Sequence, residues 1–471
     1  MKTVLRSALL FFVLLNTNLF PQNTDLTGSW SGKLKLPNGI QLTIVFNLQQ
    51  SEGKYSATLD SPDQGAKGIP CGEVKVKDDS ITIDVPVIMG DFKGEINFES
   101  KKIKGMWFQA GSAFELELVY AKEFKGPNRP QEPKPPFPYN SEEVKFFNEK
   151  DSIRLAGTLT YPKGGENLPA IVLISGSGAQ NRDEEIFNHK PFLVIADFLT
   201  RNGFAVLRFD DRGVGESEGS HSEATSFDFA EDVNAAVEYL KTRKEINKNK
   251  IGLIGHSEGG MIACIVASSN DDIGFIVLMA GPGIPGDSLL YLQTELIYRA
   301  EGESDEKIRE ILNEVREVYS VLKSDEAEEI IKQKLREMYQ QKFEKMTEDE
   351  KKKYGDLNTY IEMELRIATS KWFRTFLKFD PKPFIERIKC PVLAINGEKD
   401  LQVPPKPNLS AIETSLKKGN NKNFLIKELP GLNHLFQTSK FGTIGEYGVI
   451  EETISPMALE TILSWLKEIT K

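Results

Sequence analysis

Cysteine is scarce: Cys71, Cys264 and Cys390 are the only three in 471 residues. An odd, widely scattered set supports neither a disulfide framework nor a metal site, so each reads as a small core residue. Histidine is nearly as rare, with His189, His221, His256 and His434 forming the whole set, which makes any search for a general base short. Positive charge is in deficit. Lys and Arg total 59 against 69 Asp and Glu, a formal net charge of −10, and the basic face that a nucleic-acid partner requires is not expected. The apolar run Ala8–Leu15 is too short to cross a bilayer. Flanked by Lys2 and Arg6, it reads as a secretory signal over residues 1–23, which predicts a periplasmic or secreted protein with no stable membrane span once the signal is removed. No cysteine follows the run, so no lipid anchor is expected there.

What is present is globular. Hydrophobic residues make up 39% and charged residues 27%, and the length predicts two or three domains with a sizeable core. Residues 24–122 show short alternating segments such as Ile40–Leu48 and Ser80–Val85 between Gly, Asp and Lys turns, the pattern of a small antiparallel β-domain. Its opening Gly28-Ser29-Trp30 resembles the start of lipocalin-like barrels, although a Trp plugging the core of a barrel or sandwich has the same signature. Six prolines between Pro127 and Pro138 mark residues 123–140 as an extended, semi-rigid linker.

From 141 to 471 strands alternate with helices, the signature of a mainly parallel sheet covered on both faces. Eight strands are predicted: Val144–Glu149, Leu155–Tyr161, Ala170–Ser175, Ala205–Phe209, Ile251–Gly255, Phe275–Ala280, Val392–Asn396 and Phe424–Glu428. Helical periodicity fills the spaces between them, as in Phe229–Leu240 and Pro456–Ile469. Residues 288–384 break the alternation with Glu- and Lys-rich helical sequence, which reads as a helical cap inserted after the sixth strand; a helical interface for another subunit is the alternative.

Within this frame Gly255-His-Ser-Glu-Gly259 follows an apolar strand and precedes the helical Met261–Ala267. That is the context in which Gly-x-Ser-x-Gly throws a serine clear of the backbone at a sharp strand-to-helix turn. A serine hydroxyl is a weak nucleophile that needs a base, and the base needs an orienting partner. His434 is the only histidine C-terminal to Ser257, in the loop after a strand, and Asp400 lies in the acidic loop after Val392–Asn396. Asp400 is preferred over Glu398 because it sits farther from the strand, in the loop proper. Ser257, Asp400 and His434 thus follow in the chain order Ser…Asp…His. His256 reads as a packing residue. The oxyanion of an acyl-transfer intermediate needs backbone N–H donors, expected from Glu258 and, in the loop Ser175-Gly-Ser-Gly178, from Ser177. Asp210-Asp-Arg-Gly213 reads as an ion pair bracing its loop.

Together Ser175–Asp183, Asp210–Ser217, Gly255–Gly260, Cys390–Val403 and Glu452–Pro456 resemble the bacterial α/β-hydrolases grouped with serine aminopeptidases, esterases and acyl-CoA thioesterases, over about Val144 to Leu466. The resemblance implies a Ser-His-Asp acyl-transfer enzyme, with Ser175-Gly176 departing from the His-Gly that is usual in the oxyanion loop. The expected activity is cleavage of carboxylic esters through an acyl-enzyme on Ser257, with no metal or organic cofactor. The expected partner is a small acyl ester or peptide-like substrate. A serine aminopeptidase or acyl thioesterase with the same triad, and a non-catalytic binding protein on the same scaffold, are the alternatives.

Overall fold

The computed structural model describes residues 25–35, 41–64, 66–109, 112–126, 128–348, 351 and 356–471. The apolar run read as an export signal lies outside them. The described residues divide into two compact units, one up to Asp60 with Gly68–Phe124, the other Ser61–Lys67 with Lys125–Lys471.

The first unit is an antiparallel sheet of nine strands: β1 (Gly28–Lys35), β2 (Gln41–Ser51), β3 (Lys54–Ser61), β4 (Ala66–Pro70), β5 (Val74–Lys77), β6 (Ser80–Val85), β7 (Gly90–Asn97), β8 (Lys102–Gln109) and β9 (Ser112–Ala121). Their spatial order is β4-β3-β2-β1-β9-β8-β7-β6-β5. The end strands β4 and β5 are joined by residues 71–73 alone, a link that reaches about 14 Å at most. A flat sheet would hold them nearly 40 Å apart at about 4.8 Å per strand, so the sheet must roll until its edges approach. The link stitches the seam: Cys71 N–H donates to the Ala57 carbonyl on β3 (3.1 Å) and Gly72 N–H to the Asp84 carbonyl on β6 (2.8 Å). Trp30, Phe46, Phe92 and Trp107 fill the interior. Trp30 is a core plug whose indole N–H donates to the Leu26 carbonyl at 2.8 Å.

The second unit is built on an eight-stranded sheet of β10 (Asn140–Asn148), β11 (Ile153–Tyr161), β12 (Leu168–Ile174), β13 (Ala205–Phe209), β14 (Ile246–His256), β15 (Ile273–Met279), β16 (Val392–Gly397) and β17 (Phe424–Leu429). The order is β10-β11-β13-β12-β14-β15-β16-β17. β11 runs antiparallel to β10 and β13, while the pairings from β13 to β17 are parallel. The central strands are mostly apolar and buried on both faces, as a helix-covered parallel sheet requires, with Arg208 in β13 and Asn396 in β16 as buried polar exceptions. Covering them are α1 (Pro191–Arg201), α2 (Ser226–Thr242) and α3 (Glu258–Ala267). This is the α/β-hydrolase sheet that the strand pattern predicts, with its boundaries shifted by a few residues.

Between β15 and β16 lie the helices α4 (Gly286–Ala300), α5 (Asp305–Lys323), α6 (Glu328–Lys345), α7 (Leu357–Ala368), α8 (Lys371–Lys378) and α9 (Lys382–Ile385). Their starts are capped by side chains where polar residues meet the first turn: Ser304 accepts from Lys307 N–H, Asp356 from Asn358 and Thr359 N–H, and Ser370 from Phe373 N–H. Leu322, Ile331, Leu335, Tyr360 and Leu365 give these helices a small core of their own, while Glu310 and Glu329 point into solvent. Further on come α10 (Pro405–Lys418) and α12 (Pro456–Ile469), which pack into the sheet's core, and the short α11 (Ile444–Tyr447) between them.

The proline-rich stretch, read from the sequence as an extended, semi-rigid linker, is held on the second unit by side chains. The Arg129 guanidinium donates to the carbonyls of Phe187 (3.0 Å), Asn188 (3.1 Å), Gly448 (2.8 Å) and Ile450 (2.7 Å). Gln131 donates to the Ile454 carbonyl at 2.7 Å and accepts from Thr453 N–H at 2.6 Å. Composition marks the prolines as extended but is silent on what one arginine among them grips.

Candidate active site

Ser257 stands between β14 and α3 with φ 54° and ψ −121°. That left-handed backbone costs about 1–3 kcal/mol for a residue with a side chain and persists because its neighbours hold it. Ser257 N–H donates to the Met279 carbonyl on β15 at 2.8 Å. The flanking glycines are demanded by space: a Cβ on Gly255 would overlap the Gly259 carbonyl, and one on Gly259 would overlap that of Ile174. Gly-x-Ser-x-Gly is thus the packing condition for placing the serine at the C-terminal edge of the sheet, where such folds take their ligands.

The loops after β16 and β17 meet at the same edge. His434 Nδ1 lies 2.8 Å from Asp400 Oδ2, and both side chains are buried. The other Asp400 oxygen accepts Gln402 and Val403 N–H, each at 2.8 Å. With both its oxygens held, this carboxylate acts as a fixed acceptor that makes Nδ1 the protonated ring nitrogen and leaves Nε2 without a proton. Glu398, the rival acid, turns away and accepts Gly431 N–H at 2.8 Å.

The loop after β12 is braced by carboxylates. Glu184 Oε1 accepts Gly176 N–H at 2.7 Å, which removes that donor from the reaction. Asp211 accepts the Ser175 hydroxyl (2.7 Å) and Gln180 N–H (2.9 Å), and burial pushes its carboxyl up to about 7. Neither Ser177 nor Glu258 N–H donates to another group among the described residues, so these two remain available to an oxyanion. Next to Asp211, Arg212 reaches Asp232 (2.7 Å) and Asp151 (2.8 Å), and Arg182 holds Asp210 at 2.7 Å. The Asp-Asp-Arg-Gly segment therefore does structural bracing, extended by Asp211 to the oxyanion loop itself.

Two acidic residues here escaped the sequence reading. Glu184 Oε1 also lies 3.0 Å from His256 Nδ1, while His256 Nε2 lies 3.0 Å from the His434 carbonyl. Both partners are acceptors, so both bonds form only when His256 is the imidazolium. Burial, the largest single influence, would push this imidazole down, but the Glu184 carboxylate together with the His434 carbonyl and the Asp400 charge makes the net shift upward. His256 thus bridges the His434 backbone and the loop after β12 through both ring nitrogens, which is more than the packing role read from the sequence. Glu258, singled out only for its N–H, also has a buried carboxylate that receives the Ser177 hydroxyl (2.7 Å), the Ser226 hydroxyl and the Trp372 indole N–H (2.8 Å). Burial pushes its carboxyl up against the pull of these donors. The capping residue just before α2, with Asp and Ser at its start, and a Trp at the cap's end are the only signals that could have pointed to this cluster.

The two remaining histidines are structural. His221 stacks on Phe229. His189 is fully buried, bonded to Thr453 Oγ1 and the Tyr447 carbonyl, each at 2.9 Å, and burial together with the Arg129 charge pushes it down to about 4. An unfolded histidine titrates near 6.5. The stability from keeping His189 neutral is therefore complete above about pH 6.5 and is lost as pH falls toward 4, since the unfolded chain takes up a proton that the native one refuses. His189→Gln should be less stable at pH 7 but show a shallower fall between pH 6.5 and 4.5, as read from urea midpoints across that range.

Ser257 and His434 line one cavity of about 220 Å³. Its apolar walls are Leu289, Leu290, Trp372 and Phe376 from the cap, with Val403 and Leu435 from the core, and Glu184, Glu258, Gln180, Gln293 and Gln402 add polar groups. Leu292 faces an outer groove instead, and Phe373 packs against the cap's own core. No group of three or more metal-binding side chains occurs among the described residues, and none of their helices is long and apolar enough to cross a membrane.

Residues 190–438, more than half of the chain and including Ser257, Asp400 and His434, match the family described as serine aminopeptidase, S33. Esterase EstD of Thermotoga maritima is 29% identical over 297 residues, 61% of this chain and 60% of EstD, so the chain spans less than two thirds of that relative's length. The thiohydrolase aneE of Aspergillus aculeatus is 33% identical over 139 residues, 29% of this chain and 40% of aneE. Among solved structures, the Pyrococcus furiosus esterase Pf2001 is 17% identical with a TM-score of 0.42, covering 74% of this chain and 99% of that one. From the matched span, the chain belongs to the serine aminopeptidase S33 family of α/β-hydrolases.

Proposed function

We propose that this protein cleaves small carboxylic esters through an acyl-enzyme on Ser257. The observation that carries the reading is one cavity lined by a serine on a strained strand-to-helix turn and by a histidine whose far nitrogen is fixed by a buried aspartate. His434 Nε2 takes the proton as Ser257 Oγ attacks the ester carbonyl, and Asp400 steadies the imidazolium that forms. Ser177 and Glu258 N–H receive the oxyanion. The imidazolium then protonates the departing alcohol, and a water activated by the same histidine releases the acid. Export directed by the N-terminal apolar run is part of this proposal, and N-terminal sequencing of the mature protein tests it.

The family's description and two buried carboxylates in the cavity wall favour a second reading, an aminopeptidase that grips a substrate ammonium. Neither carboxylate is free for that task. Glu184 is matched to His256, and Glu258 already receives three donors. On the cap side Leu289, Leu290, Trp372 and Phe376 outnumber the one polar residue, Gln293, which suits an uncharged acyl chain. Short-to-medium acyl p-nitrophenyl esters should therefore be cleaved with a higher kcat/KM than aminoacyl p-nitroanilides with a free amino group. If the anilides win and lose rate when the amino group is blocked, the peptidase reading replaces the esterase one.

A further inference from the structure

We propose that Glu258 is a positioning residue through which the docked cap sets the oxyanion-binding loop. The inference rests on the reading of Ser257 as nucleophile and concerns a side chain that this reading does not use. Three separate elements converge on one carboxylate. The Trp372 indole on α8 donates to Oε1 at 2.8 Å, the Ser226 hydroxyl at the start of α2 donates to the same oxygen, and the Ser177 hydroxyl in the loop after β12 donates to Oε2 at 2.7 Å. The residue is 1% exposed and forms no ion pair among the described residues. An indole N–H can only donate, so the cap supplies one directed bond to this carboxylate.

The location gives the cluster its consequence. The backbone N–H of Glu258 and that of Ser177 are the two available oxyanion donors, and the Glu258 side chain runs from one donor residue to the other. On the opposite side Trp372 stacks on Phe376 (centroids 5.5 Å apart), and both rings wall the acyl cavity. A cap seated over the cavity therefore completes the set of donors that holds Ser177. A displaced cap leaves Oε1 short of one donor and frees the carboxylate to shift. Oxyanion donors work only when aimed in advance at the developing charge, so this tether ties catalytic competence to cap closure.

Two measurements test it, and the first does not depend on activity. In a 15N-tryptophan-labelled protein the Trp372 indole N–H resonance is identified by its loss in Trp372→Phe. Ser177→Ala should shift it, because Ser177 and Trp372 bond to opposite oxygens of the same carboxylate; an unmoved resonance would overturn the tether. The second is a double-mutant cycle on p-nitrophenyl ester hydrolysis. Trp372→Phe keeps the ring and removes the N–H, and Ser177→Ala keeps the backbone donor and removes the hydroxyl. Each should lower kcat about tenfold, less than the roughly 10²–10³-fold loss of an oxyanion donor itself. The double variant should be no worse than the poorer single one. Multiplying losses would overturn the proposal. Glu258→Gln should retain most activity, since its amide can accept from Trp372 and Ser226 while donating to Ser177, whereas Glu258→Ala should not; equal losses would also count against it. Failure of a serine-reactive fluorophosphonate to label wild-type Ser257 would instead sink the underlying hydrolase reading, and the resonance would still decide whether the tether exists.

Discussion

Replacing Ser257 by alanine, or His434 by alanine, lowers kcat for ester hydrolysis by about 10⁶-fold, the scale seen when a nucleophile or its base is removed from such a triad. The double variant falls no further, because the two side chains act in one proton transfer and either loss alone disables it. Stability changes little in Ser257→Ala: the strain lies in the backbone at φ 54°, and the Met279 carbonyl still receives the residue's N–H. Circular-dichroism melting curves should therefore nearly superimpose on those of the wild type while turnover disappears. A His434→Ala protein that kept more than about a tenth of wild-type kcat, far above the usual residue of triad function, would remove His434 from the role of base.

Asp400→Asn should cost about 10⁴-fold in kcat. An amide at this place can present N–H to His434 Nδ1 and so favours the tautomer in which Nε2 carries the proton and cannot act as base. The geometry leaves little room to escape that outcome. One Asp400 oxygen is committed to Gln402 and Val403 N–H, so the asparagine oxygen will take that place and turn the amide nitrogen toward His434. Glu398→Gln should change kcat by no more than a few-fold, because this side chain only holds the turn at Gly431, for which an amide oxygen also serves. The reverse order of effects, read from steady-state kinetics on one ester, would move the acid to Glu398.

Much of this architecture was legible in the sequence because it rests on local rules. Central strands such as Ile273–Met279 are continuous apolar runs between polar turns, and they announce a sheet covered on both faces. Gly255 and Gly259 mark the sharp turn because any larger residue would overlap a carbonyl. Ser257, Asp400 and His434 stood out because the chain has so few histidines, and the structure brings the three to one sheet edge. What sequence pattern could not reach is pairing across long separations. Glu184 and His256 are 72 residues apart, and Glu258 and Trp372 are 114 apart. A lone glutamate beside a glycine-rich turn looks like surface until the fold buries it. The same holds for Arg129, whose four carbonyl partners distant in sequence lie in loops whose meeting point is set only by the finished sheet. The rolled form of the β-domain follows from a short link between two edge strands, which becomes informative only once the strand order is known.

The central claim is that Ser257 is the nucleophile of a working serine hydrolase. Its most direct test is intact-mass analysis and peptide mapping after treatment of the full protein with a fluorophosphonate. One adduct per chain on the peptide carrying Ser257, formed at a rate that collapses in His434→Ala while the protein stays folded, is the predicted result. Hydrolysis of esters by a protein that carries no adduct at Ser257, or that carries it on another residue, would contradict the account.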